Sequence, residues 1–280
     1  MKFSVSTQIE YEVLSDCTLI LNIHALRTAK QMILNESISF NHDLKAEDLV
    51  SAQGERLIRI ELPGPNNLKI DYNALVENST EKIDCELLTD VPVSQMDTNI
   101  LSYLYPSRYC QSDKLYRLAQ NKFGAVENAF LKVIALTDWI HRNVEYLSGS
   151  TNSQTSAYDT VTEQAGVCRD FAHLGIALCR ALTIPARYFT GYAYQLCPPD
   201  FHACFEAYLG GRWIIFDATM LAPLNGLVKI ASGRDAADTA IANLFGNVYC
   251  KDIAVSSTCM EADFVPCFYR SSDHTGISYL

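Results

Sequence analysis

The sequence predicts an α+β protein in which a β-rich, sandwich-like region, residues 1–105, precedes a region, residues 106–280, that packs helices on an antiparallel sheet. Three observations carry this expectation. Apolar and polar residues alternate through much of the first hundred positions, the period of a strand with one buried face. Residues 126–144 switch to the three-and-four spacing of an amphipathic helix. A later segment, 168–217, reads as one helix and then strands, punctuated by proline and glycine.

Taken in order, Ile58-Arg59-Ile60-Glu61-Leu62 and Leu68-Lys69-Ile70-Asp71-Tyr72 each place apolar side chains on one face, and Pro63-Gly64-Pro65-Asn66-Asn67 between them is turn chemistry. Similar runs at 4–13, 19–24 and 36–41 suggest a mainly antiparallel scaffold or recognition region without a cluster of catalytic residue types. Pro106 and Ser107 mark the change of character. Val126, Phe130, Val133, Ile134, Thr137, Ile140 and Val144 then share one helical stripe, and a polar link, 148–155, leads towards the next helix.

That helix opens in the stretch GVCRDFAHL. Phe171, Ala172, Gly175, Ile176, Cys179 and Leu182 recur at core spacing, and Pro185 marks the end. Residues 186–194 and 202–209 read as strands. The Gly210-Gly211 pair signals a hairpin, and 212–217 reads as its second strand. Pairing about that turn matches residues whose numbers sum to about 421, so Tyr208 faces Trp213 and Asp217 falls opposite Cys204, next to His202.

Composition narrows the function. With 22 basic against 32 acidic residues, a net charge of -10 and a pI near 5.0, long-range electrostatics disfavour nucleic acid and anionic membranes as partners. Polar residues interrupt the N-terminal stretch, and no apolar run approaches a membrane span, so a cytoplasmic protein is expected. The ten cysteines include no C-x-x-C pair, and most are expected to be reduced and buried.

Cys168 differs from the other thiols because it stands on the first turn of its helix, where free N–H groups and the helix dipole favour an anion. A helix-start thiol, a histidine opening a strand and an aspartate closing the adjacent strand form the set that covalent thiol catalysis requires. Cys168, His202 and Asp217 are the candidate catalytic residues. Cys179, on the apolar face, is expected to be core, and His173 structural.

The stretches GVCRDFAHLGIALCRALTIPARYFTGY and HACFEAYLGGRWIIFDAT resemble the transglutaminase-like superfamily, over about residues 156–223, and ASGRDAADTA resembles its bacterial members. The resemblance implies a papain-like, transglutaminase-like core preceded by a β-rich domain. It also implies a thioester intermediate, with Cys168 as nucleophile, His202 as base and Asp217 as its orienter. Where bacterial relatives commonly carry an aromatic residue two positions after the histidine, this chain has Cys204. The expected activity is hydrolysis of a peptide or isopeptide carboxamide, a cysteine protease or amidase. The alternatives are a transglutaminase that passes the acyl group to an amine, and a non-catalytic binding module retaining the fold.

A peptide or protein substrate is the expected partner, no cofactor or metal is expected, and the oligomeric state is open. A metal reading of Cys197, His202 and Cys204 lacks paired ligand spacing. Asp170 and Glu206 are expected in surface or salt-bridge roles, Tyr188, Tyr192 and Tyr194 in packing, and Asp235 and Asp238 as caps or turn residues. The Cys168 backbone N–H is the expected first oxyanion donor. Gln154 and Tyr146 are both candidates for the second.

Overall fold

Among the described residues, seven strands form before residue 85: β1 (Lys2–Val13), β2 (Cys17–Leu21), β3 (Gln31–Phe40), β4 (Lys45–Val50), β5 (Arg56–Leu62), β6 (Asn66–Asn78) and β7 (Glu81–Asp84). The computed structural model describes residues 1–52, 54–269 and 272–279. Every second residue of β1 is buried, and β6 follows the same rule from Leu68 onward, because successive strand side chains point to opposite faces and only one face meets the interior.

The helices come next: α1 (Thr98–Leu101), α2 (Ser112–Phe123), α3 (Ala129–Asn143), α4 (Ala157–Glu163) and α5 (Cys168–Ala181). Two-residue strands, β8 (Glu145–Tyr146) and β9 (Ala165–Gly166), precede α4 and α5 respectively. The chain ends in β10 (Ala186–Ala193), β11 (Phe201–Leu209), β12 (Arg212–Phe216), β13 (Leu227–Gly233), β14 (Ala242–Phe245), β15 (Val248–Cys259) and β16 (Thr275–Ser278). Among the described residues, no helix is long and apolar enough to cross a membrane.

Two four-stranded sheets, in the orders β15-β1-β6-β3 and β14-β2-β5-β4, make the β-rich layers. Their buried faces share one cluster that includes Phe3, Leu19, Ile60 and Tyr72. Each sheet takes an edge strand from the far end of the chain. Val255 of β15 lies opposite Thr7 of β1, and Leu244 of β14 opposite Leu19 of β2. Residues 242–259 therefore build onto the strands of the first hundred residues, which local periodicity alone does not reveal.

The third sheet, β12-β11-β10-β13, is antiparallel. The hairpin register is as the sequence predicts, with Tyr208 opposite Trp213 and Phe205 opposite Phe216. Gly210 and Gly211 both take positive φ, +55° and +81°, as the two central positions of this tight turn demand. α5 packs on this sheet at Gly175. A Cβ there would stand 2.5 Å from Cε1 of Phe205 on β11, so only glycine lets the helix approach the strand this closely. Tyr192 on β10 reaches the β-rich layers: its hydroxyl donates to the Ile23 carbonyl at 2.7 Å and accepts from the Thr7 hydroxyl at 3.1 Å. The site is thus held between a helix start and the rim of a sheet anchored on both sides.

Candidate active site

Cys168 is the first residue of α5 and is half-buried. The turn it occupies is fastened by Asp170, whose Oδ2 accepts the Val167 N–H at 2.9 Å while Oδ1 pairs with the Arg169 guanidinium. Asp170 is fully buried, so it fills the salt-bridge role expected of it and not a surface one. Its capping bond satisfies one donor of the first turn and leaves the N–H of Cys168 itself outside the helical ladder. Tyr146, on the strand β8 opposite Gly166, is raised above its ordinary value by burial and then by the neighbouring Cys168.

His202 stands near the start of β11, opposite Gly191 on β10. Its Nε2 donates to Oδ2 of Asp217 at 2.8 Å, and both side chains are buried. Asp217 follows the last residue of β12. Its other oxygen, Oδ1, accepts from the Thr219 N–H at 2.8 Å and from the Thr219 hydroxyl at 2.7 Å. The carboxylate is therefore held from both ends, with one oxygen on the histidine and one on the turn that follows.

The Nδ1 of His202 is buried without a well-formed hydrogen bond. Cys168 is among the groups that act on this ring. Burial alone would lower the basicity of the imidazole. The Asp217 charge, then Cys204, the bond to Asp217 and the Cys168 thiol outweigh burial and hold it well above its ordinary value. Burial works to raise the Asp217 carboxyl, but the His202 charge and the hydrogen bonds from His202 and Thr219 leave it lowered. The two shifts describe one stabilised imidazolium–carboxylate pair.

Cys204, two residues along β11 from His202, is buried, and that burial pushes its thiol up to about 12. His202, Cys204 and Asp217 bring possible metal-ligand atoms within 4.8 Å of one another. Cys197, part of the metal set considered from sequence, is exposed and lies outside this cluster. His202 Nε2 and Asp217 Oδ2 are already bonded to one another, Asp217 Oδ1 is taken by Thr219, and the Cys204 thiol keeps its proton, so the three fit a polar cluster around the imidazole.

The structure joins His202 to Asp217 and packs their sheet against the helix that opens at Cys168. His173 is fully buried, with its ring 5.0 Å from Tyr109 and 5.1 Å from Tyr188, and its Nε2 accepts the Ala236 N–H. Tyr188 and Tyr192 are buried, as packing residues are. Asp235 accepts the backbone N–H groups of Tyr109 and Ala237, and Asp238 that of Arg234, the work of turn and capping residues. Gln154 lies exposed in a turn, its backbone N–H on Asn152. Glu206 is not a surface residue. It is fully buried and bonded to Arg187 at 2.6 Å and to Lys229 at 2.9 Å. Sequence reading missed Thr219, although Asp217-Ala218-Thr219 is the local pattern in which an aspartate binds the backbone two residues on.

A half-buried thiol on a helix start, packed against an antiparallel sheet that carries a buried His–Asp pair, defines the papain-like class of fold and site. Residues 1–99 match the family model "Bacterial transglutaminase, N-terminal domain", and residues 116–218, which contain Cys168, His202 and Asp217, match "Transglutaminase-like superfamily". The chain belongs to the transglutaminase-like superfamily.

A crystal structure from Cytophaga hutchinsonii, provisionally designated a cysteine protease, is 55% identical with a TM-score of 0.98, covering 100% of this chain and 98% of that one. An uncharacterized Mycobacterium leprae protein is 29% identical over 116 residues, 39% of this chain, and one of Mycobacterium bovis is 39% identical over 64 residues, 23% of this chain. These matches span 42% and 20% of the two curated relatives, less than half of their length. The family and the Cytophaga neighbour together support a thiol enzyme.

Proposed function

We propose that this protein hydrolyses a peptide or isopeptide carboxamide through a thioester on Cys168. The buried His202, bonded through Nε2 to Asp217 with Nδ1 left free, on the sheet against which the Cys168 helix packs, is the observation that carries this reading. His202 takes the thiol proton as the sulfur attacks the carboxamide carbon. The C–S bond forms, the carbonyl π pair moves onto oxygen, and the Cys168 N–H at the helix start stabilises that oxyanion. As the oxyanion collapses, the C–N bond breaks and the imidazolium gives its proton to the departing amine. Water, deprotonated by His202, then cleaves the thioester and returns the free thiol and a carboxylic acid. Asp217 holds the ring orientation and the imidazolium charge throughout.

Water as the acceptor, and hence a cysteine protease or amidase, is favoured over a lysine amine by the small Cys204 near the histidine, where an aromatic wall for a lysine stem would otherwise stand. All ten cysteines are free, which suits a reducing, cytoplasmic setting. The test supplies a cleavable acyl donor with millimolar primary amine and quantifies free acid against amide by mass spectrometry. Free acid in excess is expected. A dominant amide product makes the protein a transglutaminase.

A further inference from the structure

A cavity of about 720 Å³ opens where the end of β6, the strand β7 and the segment 265–267 meet, and none of Cys168, His202 and Asp217 lines it. Its walls are tied to one another. The Ser79 N–H donates to the Lys30 carbonyl at 2.7 Å, and Nδ2 of Asn78 donates to the Leu227 carbonyl at 2.6 Å. Asn225 clamps the far wall, donating from Nδ2 to the Val265 carbonyl and accepting the Cys267 N–H at Oδ1, both at 2.9 Å. The cavity is therefore built into the fold, and its volume is that of a ligand pocket.

Its chemistry is divided. Lys30 and Lys82 bring two ammonium groups, and among the described residues neither has a carboxylate at ion-pair distance. Glu77 brings one carboxylate, and the Met1 ammonium is already met by the Asn78 carbonyl at 2.7 Å and by Glu261 at 3.9 Å. The lining groups thus keep a surplus of one positive charge, in a chain whose net charge is -10. Exposed Met32 and Val265, with Pro266 and buried Ile277, give the cavity an apolar side. Asn78 also lines it, is only 3% exposed, and has an Oδ1 that finds no donor in the protein. A buried acceptor left unpaired costs free energy that an incoming N–H recovers.

We infer that this cavity binds the free carboxyl terminus of a peptide whose last residue is apolar. A ligand that answers all three features needs one negative charge, a short apolar group and an N–H beside the charge, and a peptide end carries them together. The carboxylate sits between Lys30 and Lys82, the last side chain packs against Met32 and Val265, and the last amide N–H supplies the donor that Asn78 lacks. A phosphate group brings close to two charges and no apolar part, and an aliphatic carboxylate brings no N–H. The site stands independently of the thiol-enzyme reading, although every peptide that such an enzyme cuts ends in the group it binds.

The test is fluorescence anisotropy on the full chain carrying Cys168→Ala, so that no probe is cut, with a labelled hexapeptide that ends in Ala-Leu and a free carboxylate. Binding is expected, and it should weaken about tenfold when the terminus is a carboxamide, because charge-assisted contacts are lost. Lys30→Ala or Lys82→Ala should weaken it to a similar degree. Val265→Glu, at an exposed position that the fold does not depend on, sets a carboxylate at the cavity and should weaken it as well. Unlabelled acetyl-Ala-Leu should displace the probe, and hexanoate and inorganic phosphate should do so far less well. Equal binding of acid and amide, or binding that ignores both lysine substitutions and Val265→Glu, overturns the inference. Displacement by hexanoate or phosphate as strong as that by acetyl-Ala-Leu overturns it too, and makes the cavity a general carboxylate or phosphate site. Loss of the thiol-enzyme reading would leave each of these results unchanged.

Discussion

Replacing Asp217 with asparagine tests the geometry at its most determined point. Oδ1 of Asp217 accepts two donors from Thr219, one of them a backbone N–H that can do nothing else, whereas Oδ2 accepts the His202 Nε2–H. An asparagine must therefore keep its carbonyl oxygen towards Thr219 and turn its NH2 towards His202. Nε2 becomes an acceptor, the ring proton moves to Nδ1, and Nδ1, the nitrogen that Asp217 leaves free, can no longer take the thiol proton. The shape survives, and the tautomer is wrong. The comparable change in a serine protease triad lowers kcat by about 10⁴, which at 1.36 kcal/mol per decade is about 5.4 kcal/mol of barrier.

The assay pairs amide turnover with the ¹⁵N spectrum of the His202 ring. Turnover should collapse, the ring should carry its proton on Nδ1, and the imidazole should lose most of its raised basicity along with the Asp217 charge. Turnover within tenfold of the parent, with the ring proton still on Nε2, would refute the reasoning.

Three further outcomes follow from the packing. Gly175→Ala drives a Cβ to within 2.5 Å of Phe205; overpacking of this kind costs about 1–3 kcal/mol, against a return of at most about 1 kcal/mol in helix propensity. Urea denaturation should show the net loss, and Phe205→Leu should restore it in the double variant; an unaffected single variant would mean that α5 is not held at this distance.

Lys229→Met leaves the buried Glu206 with Arg187 alone and should destabilise by about 3–5 kcal/mol, read as a lower denaturation midpoint at neutral pH; an unchanged midpoint would show that the cluster is not closed as described. Acid should act through lowered carboxyls that include the two fully buried ones, Asp217 and Glu206. Folded values below the unfolded ones mean that their stabilisation is present above about pH 4 and is lost as the pH falls through the folded values. Glu206→Gln should therefore flatten the acid limb of a stability–pH curve, and an unaltered limb would contradict the assigned shifts.

Much of the arrangement around the thiol was legible because its determinants are local. The Gly210-Gly211 turn sets the register of β11 on β12, and that register alone carries Asp217 to the neighbourhood of His202. The apolar stripe of α5 and Pro185 bound the helix that begins at Cys168, whose end falls at Ala181. What stayed hidden depends on partners far away in sequence. β15 pairs with β1 across some two hundred and fifty residues, and nothing in its own mixed pattern names that partner. Glu206 looks like a charge on a strand until Lys229 and Arg187 close over it. α2 buries only Ser112, Leu115, Ala119 and Phe123 among mostly polar neighbours, too thin a stripe to stand out beside α3.

The central claim is that Cys168, activated by His202, carries the acyl group. p-Nitrophenyl acetate tests it without knowledge of the natural substrate, because the acyl enzyme can be trapped by acid quench and mapped by peptide mass spectrometry. The account predicts one acetyl group per chain, on Cys168, formed in a burst with p-nitrophenol and absent from His202→Ala. Acetyl groups scattered over other thiols or lysines, or a Cys168 adduct that forms as fast without His202, would contradict it.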